Sequence, residues 1–390
     1  MLFQSAAPSS REALGNPARW RLSQSVYYNK LLIGHPLLFG AATEFPEVGR
    51  FGTLPLARWR QPTNRGLFHP WSQQLKRLDG LASMDRMTFQ TPVALFVFNR
   101  PDTTSKVFEA IAAVQPARLL LVADGPRPGK PGEAEACQHV RDIVTRVDWP
   151  CEVSTNFADK NLGCGERMIS GLNWIFSLVE EAILLEDDCL PDPSFFPYCQ
   201  ELLERYRGDD RVAYISGDNL IPEHLRTDAS YYFSRIGGIW GWATWRTQWQ
   251  RYDRYLTDWP RLKRDGMLEE ILDRPQVAYC TDTFDAMYEN RGPDTWDHQW
   301  FFTLLKNNSA AAVPRVNLVA NLGYGHAATH TTEPDPRFTQ PATAIEFPLK
   351  HPVSFVPLKS VDRHAYGFRP TPFHERVARK IRRIVGRLFH

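Results

Sequence analysis

The sequence is short of several things, and each shortage narrows what the protein can be. Its six cysteines (Cys137, Cys151, Cys164, Cys189, Cys199 and Cys280) are scattered over 390 residues with no Cys-x-x-Cys pair. That excludes the common zinc frameworks, and a chain of this length needs no disulfide scaffold to hold a core. Such cysteine usage suits a reducing cytosol. No sign of charge is in surplus: 46 Lys and Arg face 44 Asp and Glu. No Lys/Arg stripe interleaved with aromatics is present either, so nucleic acid is not an expected partner. No run reaches the ~18 to 20 apolar residues of a membrane span. The N-terminus lacks the basic segment and apolar core of a secretory signal. Repeats and low-complexity tracts are absent. What is present is a globular composition, 43% hydrophobic with 12 Trp and 23 Phe. That is enough for one large domain with extensions, or for two.

Residues 1–87 are rich in Pro, Arg and Trp, with brief apolar pieces such as Leu31-Leu-Ile-Gly34 and no sustained period. They read as an N-terminal extension. From residue 91 the pattern is regular. Strands are predicted at Val93–Phe98, Leu119–Ala123, Glu152–Thr155, Ala182–Leu185 and Val212–Ser216. Helices are predicted near Thr104–Val114, Glu133–Val147 and Gly165–Val179. Strands separated by helices of this length predict an α/β fold with right-handed crossovers: a mixed, mainly parallel sheet flanked by helices. Beyond residue 190 the chain becomes aromatic and irregular, most of all through 231–300. At the C-terminus, Val377, Ile381, Ile384, Val385 and Leu388 share one helical face, with Arg376, Arg379, Lys380, Arg382, Arg383 and Arg387 over much of the rest. Such a helix suits peripheral contact with an anionic membrane, and equally suits docking on its own domain.

The most informative stretch is Ala182-Ile-Leu-Leu-Glu-Asp-Asp188. A buried strand running into three consecutive carboxylates places Glu186, Asp187 and Asp188 at the mouth of a ligand crevice. Their repulsion calls for a partner of positive charge. Mg²⁺ or Mn²⁺ bound with a nucleoside diphosphate fits hard oxygen ligands, although acids after a strand also simply cap helices. In Phe98-Asn-Arg-Pro-Asp102, Asn99 and Arg100 stand at a strand end, where a guanidinium can fork onto a diphosphate or form a structural ion pair. Asp124, in Ala-Asp-Gly, can accept from an imide N–H of a base or form a plain turn. Asn161 and Gly163 flank a helix start that is a weak anion site. Trp240, Gly241 and Trp242 belong to Gly237-Gly-Ile-Trp-Gly-Trp-Ala-Thr-Trp245, which suits stacking on a sugar ring or a core corner. In Asp294-Thr-Trp-Asp-His-Gln-Trp300, a carboxylate among aromatics is a candidate general base. His326 and His330 lie in a late glycine-bearing loop, where they would reach a metal or phosphate or be merely structural.

Taken together and in this order, these motifs resemble the nucleotide-diphospho-sugar glycosyltransferases of the GT-A fold. The closest likenesses are the family 2-like bacterial enzymes and the N-acetylglucosaminyltransferase I group, across residues 90–332. The resemblance implies a domain at 88–345, with a nucleotide-binding half near 91–190 and an acceptor half near 191–345, followed by a tail at 346–390. It implies that Arg100 lies near phosphate and Asp124 at the base, with Asn99, Asn161 and Gly163 beside them. Asp188 then matches the direct metal ligand, with Glu186 on the alternate acidic position and Asp187 near the donor ribose or sugar. Asp297 matches the catalytic base in preference to Asp294, and His330 a metal or phosphate contact. The implied activity is inverting transfer from a UDP-sugar to a glycan or lipid-linked hydroxyl, with Mn²⁺ or Mg²⁺, in the cytoplasm at the inner membrane face. The residues leave two other readings open: a sugar nucleotidyltransferase, and a catalytically silent carbohydrate- or nucleotide-binding protein.

Overall fold

In the computed structural model, residues 89–219, 221, 227–323 and 340–365 are described. The extension 1–87, the loop carrying His326 and His330, and the basic segment 374–390 lie outside the described residues. The first four strands are β1 (Val93–Val97), β2 (Arg118–Ala123), β3 (Glu152–Phe157) and β4 (Glu181–Glu186). Three helices cross between them: α1 (Pro101–Val114), α2 (Glu133–Val144) and α3 (Cys164–Leu178). Pro101 opens α1, where its missing N–H leaves no bond unmade and its fixed φ suits the first turn. Gln115 then closes that helix in the left-handed conformation, at φ +49°.

Apolar runs form the centre of the sheet because both of its faces are covered. Val93, Leu95 and Val97 point into one core with Leu119, Leu121, Ile183 and Leu185, while Ala94 and Phe96 point into another with Leu120, Val122, Ala182 and Leu184. Strand alternation thus sends neighbouring apolar residues into opposite layers, and neither layer leaves room for polar alternates. Helices α1 and α2 supply Val107, Ile111, Val140 and Val144 to the first core; α3 supplies Met168, Leu172 and Ile175 to the second.

The second half of the chain extends the same sheet. In order come β5 (Cys189–Pro191), α4 (Phe195–Arg205), β6 (Val212–Ser216), β7 (Tyr231–Ser234) and β8 (Trp242–Trp245). Then follow α5 (Arg246–Trp249), α6 (Trp259–Arg264), α7 (Met267–Ile271), α8 (Arg274–Tyr288) and α9 (Asp297–Lys306). The last elements are β9 (Ala310–Pro314), β10 (Val319–Asn321) and α10 (Lys359–Ala365). The eight-stranded sheet has the order β3-β2-β1-β4-β8-β6-β9-β7, and β5 pairs with β10 apart from it. Strands β3, β2, β1 and β4 are parallel; β8 runs against both β4 and β6, β9 parallels β6, and β7 opposes β9. The fold is therefore α/β with a mixed, mainly parallel sheet. The stretch 231–300, irregular by sequence pattern, resolves into β7, β8 and the helices α5–α9. This region buries Leu256, Trp259, Leu268, Phe284 and Phe302 in a third, separate core. Among the described residues, no helix is long and apolar enough to cross a membrane.

The topology fixes where a ligand crevice falls. Progression outward from β1 goes to β2 and β3 on one side, then reverses to β4 on the other. At such a switch point the loops leaving the two strands part in opposite directions and open a gap beyond their carboxyl ends. The gap lies between the end of β1 and the end of β4.

Candidate functional site

Residues flanking the switch point come from two strands that are far apart in sequence. At the end of β4, Asp187 turns inward and accepts from the Phe98 N–H at 3.1 Å, tying it to the end of β1. Arg100, which caps α1, reaches back across the gap. Its Nη1 donates to Asp188 Oδ2 at 2.6 Å and lies 3.7 Å from Asp187 Oδ1. The Asp188 carbonyl accepts from the Leu322 N–H at 2.7 Å. A Cβ on Gly323 would stand 2.3 Å from Asp188 Oδ2 and 3.0 Å from Asn321 Oδ1, so glycine leaves that carboxylate its space. Burial raises the carboxyl pKa of both Glu186 and Asp187, and the neighbouring Asp188 charge raises them further; Arg100 offsets part of this. One guanidinium against three carboxylates leaves the locus short of positive charge.

That donor set fits a divalent cation in one particular way. Hard carboxylate oxygens face the gap, and a cationic group is already drawn onto Asp188. Among the described residues, no group of three or more His, Cys, Asp or Glu side chains is arranged as a metal cage. Magnesium-type ions are commonly held by one or two carboxylates with substrate phosphates completing the shell, and Asp188 with Glu186 would offer that many.

The remaining expected residues form supports around this gap. Asp124 is buried, and its oxygens accept from the N–H groups of Gly125 at 2.8 Å and Leu162 at 2.9 Å and from Asn161 Nδ2 at 2.8 Å. Burial raises the Asp124 pKa against the pull of these donors. Asp124 and Asn161 thus bracket the loops after β2 and β3 together, with most of the carboxylate already engaged. Gly163 caps α3 at φ +85°, and a Cβ there would fall 2.5 Å from Asp294 Oδ2. Gly165 N–H donates to Asp294 Oδ1 at 3.2 Å. Asp294 therefore serves the exposed backbone amides and the positive end of α3.

Asp297 opens α9 and is held differently. Its Oδ1 accepts from Thr295 Oγ1 at 2.5 Å and from the His298 N–H at 2.9 Å. Its charge reaches Glu186 and the Cys164 thiol. Cys164 is exposed to solvent yet crowded by protein, and burial and then Glu186, Asp297, Asp294 and Asp124 push its thiol up to about 12. Cys164, Glu186 and Asp297 thus bring the start of α3, the end of β4 and the start of α9 within electrostatic reach of one another.

The tryptophan segment divides between rim and core. Trp240 is half-buried, and its N–H donates to Asp218 Oδ1 at 3.2 Å. Trp242 corrects the expectation of a sugar platform. It is 1% exposed, stacks on Trp296 with ring centroids 5.4 Å apart, and meets Trp300 and Tyr214 at 5.8 Å, so neither face is open. Gly241 has φ +65°, and a Cβ there would meet Val319 Cγ2 at 2.8 Å, which makes it a packing glycine.

Sequence reading missed three neighbours. Asn99 Nδ2 donates to Glu133 Oε1 at 3.1 Å, and Glu133 also binds the Arg127 N–H at 2.7 Å and its guanidinium. Arg127 in turn lies over the Phe98 ring at 5.4 Å. Asp218, 4% exposed beyond the end of β6, is pushed up to about 7 by burial, against hydrogen bonds from Trp240 N–H and Ser216. Nothing in local sequence flagged Glu133 or Asp218. Asn321-Leu-Gly323 did carry a signal, since it repeats the tripeptide Asn161-Leu-Gly163.

No protein-family model and no curated protein matches the chain. A solved structure that resembles it is a UDP-glucose pyrophosphorylase complexed with UDP-glucose. The two are 12% identical, with a TM-score of 0.25, over 42% of this chain and 79% of that one. A likeness that faint carries no argument about activity.

Proposed function

We propose that the chain is an inverting glycosyltransferase that moves a sugar from a nucleotide-diphosphate donor, a UDP-sugar, to a hydroxyl of a glycan or lipid-linked acceptor. The observation that carries this reading is the Arg100–Asp188 contact across the β1–β4 switch point, with Glu186 and Asp187 beside it. Charge of both signs is concentrated at the β1–β4 switch point, where the topology opens a crevice.

In this reading Asp188 and Glu186 hold Mn²⁺ or Mg²⁺, whose contribution when bound is to neutralise charge growing on the departing diphosphate. Arg100 orients that diphosphate through its planar fork. The Asp124–Asn161 bracket sets the loop against which the base rests. Asp297 takes the proton from the acceptor hydroxyl as its oxygen attacks the anomeric carbon opposite the leaving group, so the anomeric configuration inverts. Asp294 is the poorer candidate because the start of α3 already engages it. Trp240 and the Gly237–Trp240 loop form the acceptor side. His330 is proposed as a metal or phosphate contact and the basic segment 374–390 as a peripheral membrane contact; residues 1–87 are assigned no role.

The nucleotidyltransferase alternative gains nothing from the end of β1. A basic glycine-rich phosphate loop would be expected there, whereas α1 begins at Pro101 immediately after Arg100. The test is release of UDP from a panel of UDP-sugars with Mn²⁺, in wild type and Asp297→Asn. Turnover in wild type that falls about a thousandfold in the variant, with UDP affinity retained, is the expected result. Undiminished turnover in Asp297→Asn would remove Asp297 as the base, and pyrophosphate-dependent UTP formation would favour nucleotidyl transfer.

A further inference from the structure

We infer that Arg100 is a positioning residue that occupies the cation's place on Asp188 until a diphosphate draws it away, so that divalent cation and nucleotide enter together. This rests on the nucleotide-sugar reading of the crevice and adds an order of events to it. The Arg100 guanidinium donates to one oxygen of Asp188, Oδ2, at 2.6 Å, and reaches Asp187 Oδ1 at 3.7 Å. A guanidinium and a divalent ion competing for one carboxylate oxygen repel each other strongly at that range. Either the ion stays out or the arginine leaves.

The arginine is anchored through its backbone, not through its guanidinium alone. Its backbone is fixed as the cap of α1, with the Arg100 carbonyl accepting from Thr104 N–H at 3.0 Å and Thr104 Oγ1 at 2.7 Å. Its side chain is 35% exposed, against 10% for Asp187 and 17% for Asp188. The arginine is thus the most exposed of the three side chains, and the one a ligand entering the gap reaches first. A diphosphate in the gap supplies the planar, doubly accepting anion that a guanidinium prefers, so the fork exchanges one anionic partner for another. Asp188 is then free for the ion that accompanies the diphosphate. Without the diphosphate, the arginine offsets part of the clustered negative charge and keeps the ion weakly held.

Calorimetric titration of the full chain tests this. Mn²⁺ alone, UDP alone, and Mn²⁺ with saturating UDP are titrated into wild type, Arg100→Met and Arg100→Lys, each checked for folding by circular dichroism. In wild type, UDP is expected to tighten Mn²⁺ binding about tenfold or more. In Arg100→Met, Mn²⁺ alone is expected to bind about tenfold more tightly than in wild type, and the gain from UDP to shrink to about twofold. Arg100→Lys, which keeps a mobile cation but lacks the fork, is expected to fall between. A fixed structural ion pair would weaken both ligands in Arg100→Met and leave the coupling unchanged, and that outcome overturns the inference. Wild type that binds UDP and Mn²⁺ independently also overturns it while leaving the nucleotide site standing. Folded wild type that binds neither ligand sinks the site and the inference together.

Discussion

Two segments of the central sheet, Glu186–Asp188 and Trp240–Trp242, carry equally conspicuous residues, yet one is held by charge and the other by ring packing. The acids close a parallel strand, with Asp187 buried against the Phe98 N–H and Asp188 paired with Arg100. Trp240 precedes an antiparallel neighbour, and Trp242 is that strand's first residue, pairing with Leu184, two positions inside Glu186. One residue of displacement along a strand decides the face, and two decide the depth. A carboxylate cluster cannot be hidden without compensation, so its location is restricted to an edge. A tryptophan among glycines can go either way, because a packed ring and a stacked sugar ask for the same side chain.

The sharpest way to break this contrast is to truncate the buried ring. Trp242→Ala is expected to destabilise the fold by about 3–5 kcal/mol, read from the chemical denaturation midpoint, as a large aromatic removed from a tight cluster would. If Trp242 faced ligand instead, stability would hardly move and sugar-dependent turnover would fall.

A second effect concerns Asp218, the acid that was hidden despite its charge. Its pKa in the fold, about 7, exceeds that of the unfolded chain, so the native state holds the proton more tightly. Stability from this group is full below about pH 4 and is lost as pH rises through about 7. Wild type is therefore expected to lose roughly 2–4 kcal/mol relative to Asp218→Asn between pH 4 and 8. Parallel stability profiles for the two proteins would place Asp218 in solvent. The smallest effect belongs to the rim: Trp240→Ala is expected to cost about 1 kcal/mol or less in stability while lowering acceptor-dependent turnover. A loss matching that of Trp242→Ala would erase the distinction between rim and core.

The same contrast explains what could be read in the sequence. The strands β1, β2, β4 and β6 were legible because sheets covered on both faces demand unbroken apolar runs. The stretch 246–271 was not, since helices of four to six residues such as α5, α6 and α7 each bury only one or two side chains and never complete a period. Arg100 and Asp188 were legible as strand-end residues, although their contact spans 88 positions and only the topology brings it about. Asp124 and Asn161 were singled out separately as ligand contacts, but each is the other's partner. Glu133, held by Arg127 and Asn99, gave no signal because an acid in the first turn of a helix is ordinary.

The most direct test of the central claim, that the β1–β4 crevice takes a nucleoside diphosphate with a divalent cation, is calorimetric titration with UDP and GDP, each with and without Mn²⁺. Wild type and Asp188→Ala are compared under identical conditions. The expected result is Mn²⁺-dependent binding of UDP by wild type, weakened about a hundredfold or more in Asp188→Ala. Binding that persists unchanged in folded Asp188→Ala, or no binding of either nucleotide by folded wild type, would contradict it.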